Sequence, residues 1–422
     1  MSKMRENTRL ARGSGPDPVT GSLSVPIYRS ATYHHPEISY DPDKYYYSRC
    51  DTPTRRAFEK ELAYLEHGED AVATTSGMSA IALVLKLFGP GDHVIVTSDL
   101  YGGSYRLLTN LYARYGIEFQ FINTWNLEDV KKSIKPNTKG FLIETPSNPA
   151  MHVTDIEAIS RLVKEINTER GIEAGKRESE SADAHPDINA VLESKRAYLI
   201  VDNTLLSPYF QKPLTHGADI VVHSATKYIA GHNDVLAGAI VVKEKALREF
   251  FYFFAMSEGG VLSADDSWLA LRGLQTLSVR LDREQENAFE VVKFLKQNPA
   301  VEKVIYAGDP EHPDYELSKK QTTGFGALVS FYVKEPEKIP EILERLRVIN
   351  VAGSLGGTQS LITYPSSGIQ LPIPEEQRLE TGVTDKLLRI SIGIEDARDL
   401  IDDLDQALSI YGSNINADKK VS

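Results

Sequence analysis

Short apolar runs at helix-length intervals constrain this chain more than any other feature. They fall at residues 93–97, 119–122, 140–143, 198–201, 220–222 and 239–242, and apart from Gln120 within 119–122 their centres are continuous rather than alternating. A strand apolar on both faces is one buried on both faces. The intervals leave room for crossover helices, as at 77–88, where good helix formers follow Thr74-Thr75-Ser76. The expected fold class is therefore α/β, a mostly parallel sheet covered by helices on both sides. Sheets of this kind bind ligands beyond the carboxyl ends of their strands, so the chemistry is sought there.

A length of 422 residues exceeds one ordinary core. Residues 1–56 are rich in Pro, Gly, Tyr and Ser without sustained periodicity. They read as an N-terminal arm that needs another surface to order it. Residues 57–262 carry the strand–helix alternation and form the expected large domain. From residue 263 the pattern changes: a helical stretch at 268–297, a strand at 327–333 and a helix at 339–346 predict a smaller C-terminal α/β domain, 263–422. Residues 169–185 are charged and poor in apolar side chains, which reads as a solvated excursion. No internal repeat is evident.

Charge narrows the partners. The net charge of −12 repels phosphate backbones and anionic lipid, so neither nucleic acid nor a membrane surface is expected. The first fifteen residues carry Arg5, Arg9 and Arg12 but no apolar core, unlike a secretory signal. None of the apolar runs approaches the roughly 20 residues that span a bilayer. Cys50 is the single cysteine, which excludes an internal disulfide and a cysteine-rich metal site. No metal is expected, and a reducing, cytoplasmic location is.

The strongest chemical signal is Ile220-Val221-Val222-His223-Ser224-Ala225-Thr226-Lys227, a strand running into a lysine preceded by hydroxyls. A lysine at a buried strand end is costly unless it is paired or used. Schiff-base chemistry uses such an amine when its surroundings lower its pKa, and Ser224 and Thr226 could hold a phosphate. An ordinary surface lysine is the plain alternative. A serine acyl-enzyme is another, since Ser224 to Lys227 matches S-x-x-K, but the accompanying S-D-N and K-T-G elements do not occur.

Other residues suit the same chemistry. Asp202 ends the strand at 198–201 and could pair with a pyridinium nitrogen, or simply cap a turn. Ser76-Gly77-Met78 opens a helix whose amides suit an anion. Tyr101, after the strand at 93–97, could stack on a flat ring or serve in packing.

Together, His223-Ser224-Ala225-Thr226-Lys227-Tyr228 and Gly231-His232 resemble the lysine signature of the Cys/Met-metabolism enzymes that use pyridoxal 5'-phosphate (PLP). The likeness runs from Pro16-Asp17-Pro18 to Ile394-Glu395-Asp396. It implies a fold-type-I PLP-dependent transferase architecture and a homotetramer built as a dimer of dimers. It also implies site roles. Lys227 would carry the cofactor as a Schiff base and shuttle protons, and Asp202 would meet the pyridine nitrogen. Tyr101 would stack on the ring and act in catalysis. Gly77, Met78, Ser224 and Thr226 would hold the phosphate, joined by Tyr47 and Arg49 from the neighbouring subunit. Asn148 would lie by the cofactor's 3'-oxygen. Ser354 and Arg389 would bind the substrate, Arg389 clamping its carboxylate.

The sequence departs from the family at the substrate end. Position 103 is glycine where methionine γ-lyases carry cysteine. Gly353 stands where cystathionine-processing members commonly have glutamate before Ser354-Leu355-Gly356-Gly357. The family's Thr-His element gives way to Tyr364-Pro365-Ser366-Ser367-Gly368 and residues 369–378. The expected reaction is elimination or replacement at the β or γ carbon of sulfur-containing or acylated amino acids, of cystathionine γ-synthase or γ-lyase type. The alternatives are a C–S lyase or O-acylhomoserine sulfhydrylase, or a non-catalytic binding protein that retains the fold.

Overall fold

The computed structural model describes residues 4–13, 15–36, 41, 44–172 and 188–411. Its larger sheet is built from β1 (Asp70–Thr74), β2 (His93–Thr97), β3 (Glu118–Ile122), β4 (Thr138–Glu144), β5 (Tyr198–Asp202), β6 (Ile220–His223) and β7 (Gly238–Val242). The strand order is β1-β7-β6-β5-β4-β2-β3. From β3 through β6 every neighbouring pair is parallel, as the continuous apolar runs imply. β7 is the exception, antiparallel to both β6 and β1. β1 lacks a strand signal because Ala71 and Ala73 leave Val72 as its one strongly apolar residue; pairing with β7 makes it a strand.

Side chains alternate between two cores. Phe141, Ile143, Leu199, Val201 and Val221 meet Phe58, Leu62, Ile159, Val163 and Leu271 on one face. Leu142, Ile200, Ile220, Val222 and Ile240 meet Ile81, Phe250 and Phe251 on the other. Burying a side chain of this size contributes roughly 1.5–3 kcal/mol, so two filled faces hold the sheet rigid beneath its strand ends.

A smaller sheet contains β8 (Val301–Ile305), β9 (Leu328–Val333), β10 (Asn350–Val351), β11 (Leu361–Thr363) and β12 (Leu387–Ser391), in the order β10-β11-β12-β9-β8. Its core packs Phe331 and Ile390 with Val291 and Leu295 of the helix Leu277–Gln297 and with Leu400 and Leu404 of the helix Ala397–Leu408.

Three expectations change. The helical stretch at 268–297 is two helices, Ala264–Leu274 and Leu277–Gln297. The first starts at Ser263, whose hydroxyl accepts from Asp266 N at 3.0 Å. It packs into the large-sheet core, whereas the second starts in that core with Leu277 and Leu281 and continues into the small-sheet core with Ala288, Val291 and Leu295. The arm is not wholly extended: Glu6–Arg12 is a helix, held by buried Leu10 and by Arg9 against Glu61 at 2.6 Å. The helix expected at 77–88 ends at Val84, with Leu85–Leu87 wound more tightly as a 3-10 turn. Most of the charged excursion at 169–185 lies outside the described residues. Among the described residues no helix is long and apolar enough to cross a membrane.

Candidate active site

Adjacent parallel strands end in two carboxylates. Glu144 closes β4, Asp202 closes β5, and the two are register partners. Asp202 Oδ1 accepts from Thr204 N at 3.0 Å and Thr204 Oγ1 at 2.6 Å, while Oδ2 takes no bond among the described residues. Burial raises the Asp202 pKa, and the Thr204 bonds and nearby His223 oppose the rise. Behind it His223 Nε2 lies 2.6 Å from Glu66 Oε1, which also accepts from Asn203 Nδ2 at 2.8 Å. Glu144 is held well above the ordinary carboxylate range by burial and by the Asp202 charge beside it. Its Oε2 accepts from Tyr101 N at 3.0 Å, which places the tyrosine loop over the strand ends. The Tyr101 ring is 42% exposed, and a Cβ at position 103 would come within 2.4 Å of it.

Lys227 lies in a run of turns after β6 rather than at a helix start, so the geometry of a serine acyl-enzyme is not met. Its Nζ donates to Ser354 Oγ at 2.7 Å. Burial, with Arg389 as the nearby cation, pulls its pKa down to about 8. Arg389, on β12, is only 2% exposed. Its Nη1 donates to Asn148 Oδ1 at 3.1 Å and its Nη2 to Ser354 O at 2.7 Å, while Nε has no partner among the described residues. Among the described residues no ion pair holds it there, and burial lowers its pKa to about 10, with the Glu144 charge opposing the fall. A buried guanidinium with no directly paired carboxylate is a strong claimant for an anion. Ser354 thus joins the amine to the guanidinium, at a strained backbone with φ of 115°.

A second anion-binding feature flanks the lysine. The helix Gly77–Val84 starts at Ser76, whose Oγ accepts from Ser79 N at 3.1 Å, leaving the Gly77 and Met78 amides at its open end. Gly77 sits against Ser224, where a Cβ would meet the serine Cβ at 2.7 Å. Ser224 N donates to Thr204 Oγ1 at 2.8 Å, so Thr204 bridges Asp202 to the lysine turn. The Thr226 hydroxyl is engaged with the backbone, donating to Ala237 O at 3.1 Å and accepting from Ala237 N at 3.0 Å. Tyr47 and Arg49 are not gathered into this group. Both are exposed, with the guanidinium 5.5 Å from the Tyr47 ring centroid and bonded to Met256 O.

Beside Ser354 opens a cleft of about 550 Å³ lined by Thr226, Asn233, Asp234, Gly353 and Gln359 among others. Gly353 is exposed, and a Cβ there would meet nothing within 4 Å. Sequence reasoning missed Glu144 and Thr204 as members of the site. An acidic residue ending the strand next to Asp202's was a visible signal for Glu144. Nothing local marks Thr204.

Residues 7–172 and 180–409 match the family described as Cys/Met metabolism PLP-dependent enzyme. A cystathionine gamma-lyase of Bacillus subtilis (strain 168) is 43% identical over 96% of this chain and 99% of its own length. A cystathionine gamma-synthase/O-acetylhomoserine (thiol)-lyase of the same strain is 41% identical over 95% of each. The crystal structure of cystathionine gamma-lyase from Lactobacillus plantarum complexed with L-serine superposes with a TM-score of 0.86. It is 38% identical and covers 96% of this chain and 99% of that one.

Proposed function

Because this chain belongs to the Cys/Met metabolism PLP-dependent enzymes, we propose that it catalyses elimination or replacement at the γ carbon of cystathionine or of an acylated homoserine. The observation that carries this reading is the linking of a depressed amine, through one serine, to a buried guanidinium that has no ion pair among the described residues. An α-amino acid presents a nitrogen and a carboxylate on one carbon, and a forked guanidinium suits the carboxylate.

The residues suit the cofactor. Lys227 offers an amine that is neutral far more often than an exposed lysine, Asp202 keeps Oδ2 available, and Gly77 and Met78 offer amides to a phosphate. When bound, PLP draws off the electron pair left at Cα, which opens the neighbouring carbons to elimination and replacement. Lys227 Nζ would hold the cofactor and move the proton taken from Cα. Asp202 Oδ2 would pair with the ring nitrogen, and Tyr101 would stack on the ring. Asn148 would lie by the 3'-oxygen and Ser224 would help hold the phosphate, joined by Thr226 once its hydroxyl turned from Ala237 O. Arg389 and Ser354 hold the substrate carboxylate. Tyr47 and Arg49 reach the phosphate from a neighbouring subunit of a homotetramer in the cytoplasm. Their exposure in the single chain supports that assignment.

A second reading has a specific observation behind it. With Gly353 open and uncharged, the cleft offers no carboxylate at that position to a distal ammonium group. This favours a C–S lyase or O-acylhomoserine sulfhydrylase acting on shorter substrates. Assays with cystathionine, homocysteine, cysteine, methionine and acylated homoserines, scoring 2-oxo acid and sulfide, separate the two. The shared chemistry is tested by Lys227→Ala. The wild type should be yellow and bleached by borohydride, and the variant should fold but not turn over. Near-normal turnover in the variant would end the proposal.

A further inference from the structure

We infer that Gln370 is a positioning residue of this site, coupling the loop that presents Tyr101 to the loop that presents Asn148 and, through it, Arg389. Its side chain is 1% exposed. Nε2 donates to Asn148 O at 2.7 Å and to Leu100 O at 3.2 Å. Both acceptors are carbonyl oxygens, so the amide cannot be turned over without setting Oε1 against them. In the orientation this demands, Oε1 has no donor among the described residues. The backbone is seated as closely: a Cβ at Gly102 would come within 2.2 Å of Ile369 O. Only glycine admits residues 369 and 370 so near the start of the helix Gly102–Asn110.

One amide therefore touches the residue before Tyr101 and the residue whose side chain steadies Arg389 Nη1. Its neighbours are mixed, Leu371 being 64% exposed and Ile373 4% exposed. Gln370 is the polar side chain by which residues 364–378 bond both loops, and the cofactor-facing tyrosine and the carboxylate clamp are positioned together by it. The inference rests on the roles proposed above for Tyr101 and Arg389.

The test uses the PLP-loaded enzyme and Gln370→Leu, which keeps the volume and removes the donor, with Gln370→Met as a second apolar variant. PLP content, visible spectrum, melting temperature, kcat and KM are measured on one long and one short substrate. A small misplacement of the clamp should raise KM for both substrates by roughly tenfold to a hundredfold and alter the visible band at full PLP content. Gln370→His, whose single N–H can serve one carbonyl, should fall between wild type and the apolar variants. If neither apolar variant folds, Gln370→His alone must show the raised KM. A lowered melting temperature with wild-type KM, kcat and spectrum would reduce Gln370 to a structural tie and overturn the inference. Arg389→Ala is the control. Should it leave KM unchanged, the proposed function fails; should it raise KM while the Gln370 variants do not, only this inference fails.

Discussion

Replacing Arg389 by alanine removes a buried cation that has no ion pair among the described residues. Its Nη atoms now hold Asn148 Oδ1 and Ser354 O, and its Nε is unpaired, so donors remain for a bound carboxylate. Each charge-assisted hydrogen bond contributes about 1.5–3 kcal/mol, so a bidentate grip is worth about 3–6 kcal/mol before offsets. Burial already disfavours the guanidinium, as its lowered pKa shows, and removing it relieves part of that cost. The net loss in kcat/KM should be about 3–4 kcal/mol, or some hundredfold to a thousandfold. Arg389→Lys keeps the charge but not the fork and should lose roughly ten- to a hundredfold. The assay compares kcat/KM of wild type and both variants on cystathionine and on a short substrate, with PLP content fixed. Every candidate shares the α-carboxylate, so the losses should match between substrates. A loss confined to one substrate, or a lysine variant equal to wild type, would refute the carboxylate role.

Three further outcomes are expected. Gly353→Glu, placed in open space on the cleft beside Ser354, should shift kcat/KM toward cystathionine without lowering PLP content; an unchanged long-to-short ratio would put the distal pocket elsewhere. In apoenzyme, a Lys227 pKa of about 8 leaves roughly a tenth of the amine neutral at pH 7. Its reaction with added PLP should therefore accelerate as pH rises through about 8. Because Arg389 pushes that pKa down, Arg389→Ala should move the midpoint upward, and a downward move would contradict the assignment. Mixing Arg49→Ala with Lys227→Ala subunits should regenerate activity in hybrids, and silence despite confirmed exchange would falsify the shared site.

Whatever lay contiguous in the chain was legible. The apolar runs of β2, β4, β5 and β6 announced parallel strands because burial on both faces leaves no polar alternation, whereas β3, at the sheet edge, is only half-buried and carries Gln120. Lys227 stood out because its strand, its hydroxyls and its amine are neighbours in sequence. Ser76-Gly77-Met78 marked a helix start for the same reason, since capping is local. The second core and the two helices within 268–297 were harder: both helices place leucines in the large-sheet core, Leu274 before the break and Leu277 after it, and only the later turns of the second reach the small-sheet core. β1 became a strand only through β7. The site depends still more on distant partners. Lys227 meets Ser354 across 127 residues, Asn148 meets Arg389 across 241, and Gln370 meets Asn148 across 222. The sequence by itself determined the residue types, the strand ends that carry them and the family they resemble. Which carboxylate stays unbonded, which arginine is buried without an anion, and which glutamine ties two loops together were decided by tertiary structure. Those properties are set by burial and by hydrogen-bond partners brought in from elsewhere in the chain.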